Sequence, residues 1–275
     1  MKYLFSEWKN VGKALKNKFI YLFLDYDGTL TPIARTPDIA VIPKKTKDLL
    51  LRLSNIPNCK VAIVSGRTLK DVSKRIGLRN IVYVGNHGFE IKGPKINFKS
   101  PLPPYYKRTL KEIKVKMEKN LSSFRGVFIE DKGFSLSVHY RMADKDDISS
   151  IKAGFYNTIF LYELGNDVQV KRGKMLLEVR PPVSWNKGEA VSWLLGRRSF
   201  ARRSKKMKVM PVYIGDDVTD EDAFESLKDK GITIFVGKTN RTKARFYLKN
   251  TEEVAQFLEA ILENPKTGIL WRKKR

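Results

Sequence analysis

Asp25 and Asp27 stand one residue apart at the end of the apolar run Tyr21-Leu22-Phe23-Leu24, and Gly28 follows them as a turn residue. In extended chain, residues i and i+2 point the same way, so the two carboxylates are expected to project together from the carboxyl end of a buried strand. That edge of an open α/β sheet is where ligands bind. Two like charges held so close call for a cation between them or a proton on one. Alone, such a pair also fits an acidic loop after a core strand. The other strand ends decide against that reading. Ser65 closes the run Val61-Ala62-Ile63-Val64, and Asp216, Asp217 and Asp220 follow Val212-Tyr213-Ile214, with Lys187 at a helix start between them. Carboxylate oxygens of Asp25 and Asp216, with a backbone carbonyl near Asp27, suit an octahedral Mg²⁺. A hydroxyl and a lysine suit phosphate oxygens.

These residues need a parallel sheet beneath them, and the pattern predicts one. A helix is expected over 44–55, with Leu49, Leu50 and Leu53 on one side, and another over 68–76, stopped by Gly77. A third strand, 81–84, ends at Gly85-Asn86-His87-Gly88-Phe89-Glu90. Strand, polar tip and helix in repetition predict an α/β fold with a doubly wound parallel, Rossmann-like core. Beyond Pro101, Pro103 and Pro104 the pattern changes. A helix over 105–121, strands at 127–132 and 134–140, a helix over 146–162 and strands at 168–172 and 175–180 repeat one unit, closed by Pro181-Pro182. The expected boundaries are 1–102 and 183–275 for the core, and 103–182 for an inserted α+β domain of αββαββ type. The core resumes with a helix from Asn186, strands at 212–214 and 232–236, and an amphipathic helix over 251–263. The lysine-studded, amphipathic residues 1–18 read as a short docking helix.

Composition narrows the function classes. No apolar run approaches the roughly 20 residues that span a bilayer, so no membrane association is expected. The single cysteine, Cys59, excludes an internal disulfide framework and fits a reducing cytoplasm. Fifty-four basic against 29 acidic residues give a net charge of +25, which attracts polyanions, phosphorylated small molecules among them. Denser basic clusters at 197–206 and 271–275 read as solvated surface, with a binding patch as the alternative. No nucleic-acid-binding motif matches them, and nucleic acid is not an expected partner.

Asp25-Tyr26-Asp27-Gly28-Thr29, Ser65, Lys187 and Gly215-Asp216-Asp217 with Asp220 resemble the four motifs of the haloacid dehalogenase superfamily of phosphohydrolases. The stretches Ser65-Gly66-Arg67, Gly85 to Glu90, Glu130-Asp131-Lys132-Gly133, Val138-His139-Tyr140-Arg141, Glu178-Val179-Arg180-Pro181 and Asn186-Lys187-Gly188 narrow the resemblance to the trehalose-6-phosphate phosphatase family. It covers about residues 19–262; residues 1–18 and both basic clusters inherit nothing from it.

The resemblance implies Mg²⁺-dependent hydrolysis of trehalose 6-phosphate through an aspartyl-phosphate. Asp25 is implied as nucleophile and Asp27 as the acid and then base, entering protonated because desolvation and the neighbouring carboxylate raise its pKa. Ser65 and Lys187 are to hold the phosphoryl oxygens, with Asp25, Asp27 and Asp216 on the metal. Asp217 and Asp220 are assigned to metal-bound water or Lys187, with direct metal contact as the other option. Substrate contacts fall to Gly66, Arg67 and His87, with Arg67 alternatively paired to an acid. Glu130, Lys132 and Glu178 read the sugar from the inserted domain acting as a cap. Tyr26 and His139 read as packing and structural residues. A separate trehalose-6-phosphate synthase is a candidate partner, since the chain carries the phosphatase part alone.

Other readings are a related phosphatase acting on sucrose phosphate, glucosylglycerol phosphate or mannosyl-3-phosphoglycerate, a glycosyltransferase holding a metal-nucleotide on Asp25-Tyr26-Asp27, and a polyanion-binding module without catalysis. A glycosyltransferase leaves Lys187 and the Asp216 cluster unexplained, and the last reading rests on charge alone. A catalytically dead sugar sensor is disfavoured because every residue the chemistry needs is present.

Overall fold

The apolar run Phe19–Leu24 is buried along its whole length because it forms a central strand with a layer on each face. The computed structural model describes residues 1–34, 36–173, 175–197, 207–239 and 241–263. These divide into two compact units, one formed by Met1–Lys99 with the chain from Trp185 onward, the other by Ser100–Ser184.

In the larger unit the elements run β1 (Lys2–Tyr3), α1 (Trp8–Leu15), β2 (Phe19–Leu24), α2 (Lys44–Ser54), β3 (Cys59–Val64), α3 (Leu69–Ile76), β4 (Val82–Gly85), β5 (Glu90–Gly93) and β6 (Ile96–Lys99). The smaller unit contributes α4 (Tyr106–Leu121), β7 (Phe128–Asp131), β8 (Leu136–His139), α5 (Ile148–Leu164), β9 (Gln169–Gly173) and β10 (Leu176–Arg180). The larger unit then closes with α6 (Lys187–Gly196), β11 (Val209–Gly215), α7 (Glu221–Leu227), β12 (Ile232–Val236), β13 (Phe246–Leu248) and α8 (Thr251–Glu263).

The main sheet has the order β1-β13-β12-β11-β2-β3-β4-β5-β6. Its strands are parallel from β1 to β4, and β5 and β6 add an antiparallel hairpin. Alternation sorts the apolar side chains of β2: Ile20, Leu22 and Leu24 join one core, while Phe19, Tyr21 and Phe23 join the other. β3 does the same with Val61 and Ile63 against Ala62 and Val64. Since the chain winds outward one way through β3 and β4 and the other way through β11, β12 and β13, the order reverses at β2. Asp25 leaves the sheet at that switch point, where carboxyl ends open a crevice.

The hairpin β5–β6, the edge strand β1 and its neighbour β13 were outside the sequence reading, being short and lying at or beside the sheet's edges. The N-terminal segment holds a short helix, and its apolar face belongs to this chain's own core, through Leu4, Val11 and Leu15, with Trp8 edge-on to Phe257 of α8. Fully burying residues of this type is worth about 1.5–3 kcal/mol each, which explains why the helix docks inward. The basic clusters lie outside the described residues, save Arg197, which stacks over the Trp193 ring.

The smaller unit is an antiparallel sheet, β7-β8-β10-β9, packed with α4 and α5 around its own core of Leu110, Ile113, Phe155, Leu136 and Val179. Among the described residues no helix is long and apolar enough to cross a membrane.

Candidate active site

The strand β2 stops at Leu24, so the alternation that would align Asp25 and Asp27 does not extend through them. Tyr26 turns into the core, its hydroxyl donating to the Ala40 carbonyl, and the two aspartates enter separate networks. Asp25 is anchored to β11 by its N–H on the Ile214 carbonyl, 2.9 Å. Its Oδ1 accepts from Lys187 Nζ at 2.7 Å. Asp27 instead meets Arg67, which donates to both its oxygens at 2.7 Å. The dry setting expected for Asp27 is absent: its side chain is 41% exposed and faces a guanidinium.

Lys187 is the first residue of α6, behind the N-cap Asn186, whose side chain accepts from the Glu189 N–H. A cation at a helix N-terminus is unfavourable against the helix dipole. Asp25 and Asp220 offset that cost by each accepting from Nζ at 2.7 Å. Burial works against the charge on Lys187, but these two carboxylates outweigh it and hold its pKa up. Asp25 is also pushed up, by burial first, then by Asp220 and Asp216, with Lys187 opposing.

Asp25, Asp216 and Asp220 are buried, and each offers a carboxylate oxygen within 4.8 Å of the others. Three carboxylates around one lysine leave the cluster short of positive charge, and hard oxygen donors suit a divalent cation. Asp220 has little left to offer it. Its Oδ1 accepts from Lys187 and from the Tyr213 hydroxyl, and its Oδ2 from the N–H groups of Asp216 and Asp217. Those four donors fill the roughly four acceptor sites of a carboxylate. Asp217 caps the short turn Val218–Asp220, sharing a reciprocal capping box with Asp220. Asp25 and Asp216 therefore remain as side-chain donors. Gly28, at φ +82°, passes so close to Asp216 that a Cβ there would overlap its carboxylate.

Ser65 follows β3, buried, its Oγ accepting from the Arg67 N–H at 3.1 Å. The imidazole of His87 lies over Gly66, where any Cβ would collide with the ring. His87 and Asn86 both adopt left-handed φ, +55° and +50°, a cost that non-glycine residues bear only where surroundings impose it.

In the smaller unit, Glu178 is nearly inaccessible and accepts from Lys132, Ser135 and Ser137 on Oε1, and from Arg180 on Oε2. Glu130 lies 3.8 Å from Lys132 Nζ and pairs with His139 Nε2 at 3.0 Å. Pairing across β7, β8 and β10 puts Glu130, Ser137 and Glu178 in one row.

The trehalose-phosphatase family profile matches residues 23–252. The chain belongs to this family. A trehalose-phosphate phosphatase of Mycobacterium tuberculosis is 34% identical over 245 residues, covering 87% of this chain and 60% of that protein. A probable trehalose-phosphate phosphatase of Arabidopsis thaliana is 34% identical over 273 residues, covering 94% of this chain and 73% of its own. The solved C-terminal domain of a Candida albicans trehalose-6-phosphate phosphatase shares 26% identity and aligns at a TM-score of 0.78 over 98% of both chains. The chain thus spans about 60% of the length of the mycobacterial relatives.

For this trehalose-phosphatase family member, sequence reasoning passed over Asp71, Tyr213, Ser135, Ser137 and Arg180. Each touches a motif residue: Asp71 meets Arg67 one helical turn away, Tyr213 meets Asp220 just past its own strand, Ser135 and Ser137 reach Glu178 from the neighbouring strand, and Arg180 reaches Glu178 along β10. The alternation of Ser135 and Ser137 was the one visible signal, and it becomes informative only once β8 is paired with β10.

Proposed function

We propose that this protein hydrolyses trehalose 6-phosphate to trehalose and phosphate through an aspartyl-phosphate on Asp25. The observation that carries the reading is Lys187 bridging Asp25 and Asp220 beside Asp216 at the sheet's switch point. A carboxylate oxygen of Asp25 attacks phosphorus, and the bond to the sugar oxygen breaks as that oxygen takes a proton from Asp27. Water then attacks the acyl-phosphate, its proton passing to Asp27, and phosphate leaves with Asp25 restored. Lys187 holds a phosphoryl oxygen while Asp220 and Tyr213 keep the ammonium in place. Ser65 uses its Oγ as acceptor for Arg67, and its own O–H is left to donate to phosphate. The residues that would hold Mg²⁺ are Asp25, Asp216 and the backbone carbonyl of Asp27. When bound, Mg²⁺ offsets the repulsion between carboxylate and phosphate and stabilises the charge that develops.

Glu130, Lys132 and Glu178 of the smaller unit are the groups assigned to sugar hydroxyls, and Gly66 and His87 of the larger unit are assigned to substrate contact. A separate synthase supplies the substrate, and the reaction belongs to the cytoplasm. The test is phosphate release with Mg²⁺ from trehalose 6-phosphate, sucrose 6-phosphate, glucose 6-phosphate and an aryl phosphate. Trehalose 6-phosphate is expected to be the best substrate by a wide margin. Preference for another glycosyl phosphate would restrict the reading to sugar phosphatase chemistry.

A further inference from the structure

The guanidinium of Arg67 is engaged on every nitrogen by acids. Nε donates to Asp27 Oδ2 and Nη2 to Asp27 Oδ1, 2.7 Å each, while Nη1 donates to Asp71 Oδ2 at 2.8 Å. Two parallel bonds from a planar fork set a carboxylate's direction as well as its distance. The fork is braced in turn. Arg75 Nε donates to both oxygens of Asp71, at 2.9 and 2.8 Å, and Arg75 Nη1 to the carbonyls of Asp38 and Ala40. The Tyr26 hydroxyl donates to that same Ala40 carbonyl, and the Tyr26 ring lies 5.2 Å from the Arg67 guanidinium carbon. The path therefore closes on the residue next to Asp27. Within it, the Arg67 side chain is only 9% exposed whereas that of Asp27 is 41% exposed, so the carboxylate is the end that meets solvent.

We propose that Arg67 is a positioning residue for Asp27, braced by Asp71 and Arg75, and that it acts on the reaction through that carboxylate and not by binding substrate. The inference rests on the acid–base role proposed for Asp27. A proton donor must lie within hydrogen-bond reach of the leaving oxygen, and a half-exposed aspartate has rotamers that point elsewhere. The two-pronged contact removes those rotamers.

The experiment measures kcat and KM for wild type, Arg67→Ala, Arg67→Lys, Asp71→Asn, Asp27→Asn and the double variant Asp27→Asn/Arg67→Ala. Trehalose 6-phosphate is compared with 4-nitrophenyl phosphate, whose leaving group departs without a proton, and thermal unfolding reports the fold. Arg67→Ala is expected to lower kcat on the sugar phosphate by about 10–100-fold, the cost of misplacing a reacting group, with KM little changed and the aryl phosphate far less affected. Arg67→Lys recovers part of the loss, and Asp71→Asn shows the same leaving-group pattern at smaller size. The double variant loses no more than Asp27→Asn alone, because both changes act at one point. Losses that multiply in the double variant, or an Arg67→Ala variant with raised KM on both substrates and intact kcat, overturn the proposal. Should Arg67→Ala not fold, the absence of a leaving-group pattern in Arg67→Lys and Asp71→Asn overturns it equally. If Asp27→Asn itself loses both activities in proportion, the acid–base reading fails and takes this inference with it. If Asp27→Asn shows the pattern and the Arg67 variants do not, this inference fails alone.

Discussion

Lys187 and Asp25, 162 residues apart in sequence, meet at 2.7 Å with both side chains buried. The contact puts a fixed cation against the carboxylate proposed as nucleophile, and Asp220 holds that cation from the other side. Removing the carboxylate leaves Lys187 paired through Asp220, so the fold should survive the change.

Asp25→Asn is therefore expected to unfold within a few degrees of wild type, and to lose turnover of trehalose 6-phosphate by several orders of magnitude. Phosphate release and a melting curve on the same preparation check both halves. Near wild-type release from this variant, or from chelated protein, would falsify the covalent reading.

The shortage of positive charge around Asp25, Asp216 and Asp220 predicts that Mg²⁺ stabilises the protein in the absence of substrate. By mass action a ligand at 100 times its Kd adds about 2.7 kcal/mol, visible as a rise in the unfolding midpoint. Asp216→Asn should abolish that rise. Gly28→Ala should do the same and also lower the midpoint, since φ +82° disfavours alanine and its Cβ would press on Asp216.

The three sugar-reading candidates do not make equivalent test sites. Glu178 is 2% exposed and neutralises Lys132 and Arg180, which are also buried. Glu178→Ala takes the near carboxylate from both cations, leaving Lys132 its 3.8 Å pair with Glu130, and breaking a buried pair costs about 3–5 kcal/mol. It should lower stability along with activity on every substrate. Glu130 is more exposed, so Glu130→Ala should leave the midpoint nearly unchanged. Its kcat/KM on trehalose 6-phosphate should fall by about 10-fold, the worth of a charged hydrogen bond, while aryl phosphate hydrolysis is unaffected. Proportional loss of both activities in Glu130→Ala would remove it from the specificity set.

Burial pushes the Cys59 thiol up to about 12. Native protein should resist thiol reagents at neutral pH and react once unfolded. The folded pKa lies above the ordinary thiol value, so the folded state holds its proton where the unfolded chain releases it. Stability from this group is present at neutral pH and is lost between about pH 9 and 12. Labelling rates alongside denaturant titration at pH 8 and pH 10.5 test both statements; fast labelling of the folded protein at pH 8 contradicts the burial.

Much of the larger unit could be read directly. Continuous apolar runs such as Phe19–Leu24 identify strands covered on both faces, and a polar residue at the end of each run marks the ligand edge, because burial dictates residue type locally. Asp25, Ser65 and Asp216 were singled out on those grounds, and Lys187 as a cation at a helix start between them. What tertiary structure alone decided was partnership. The Arg67 fork could have met substrate or an acid, and only the placement of the chain before α3 beside the loop after β2 brings it to Asp27, whereas Asp71 is a local partner four residues on. Asp220 read as a ligand to metal-bound water or Lys187, with the metal itself as the other option; Lys187, Tyr213 and two adjacent backbone N–H groups occupy its oxygens. The row Glu130–Ser137–Glu178 exists through strand register, and a slip of one residue would turn those side chains to the opposite face. Residue type follows from the local environment and is written along the chain, whereas the pairing of charges across distant segments follows from how strands and helices pack.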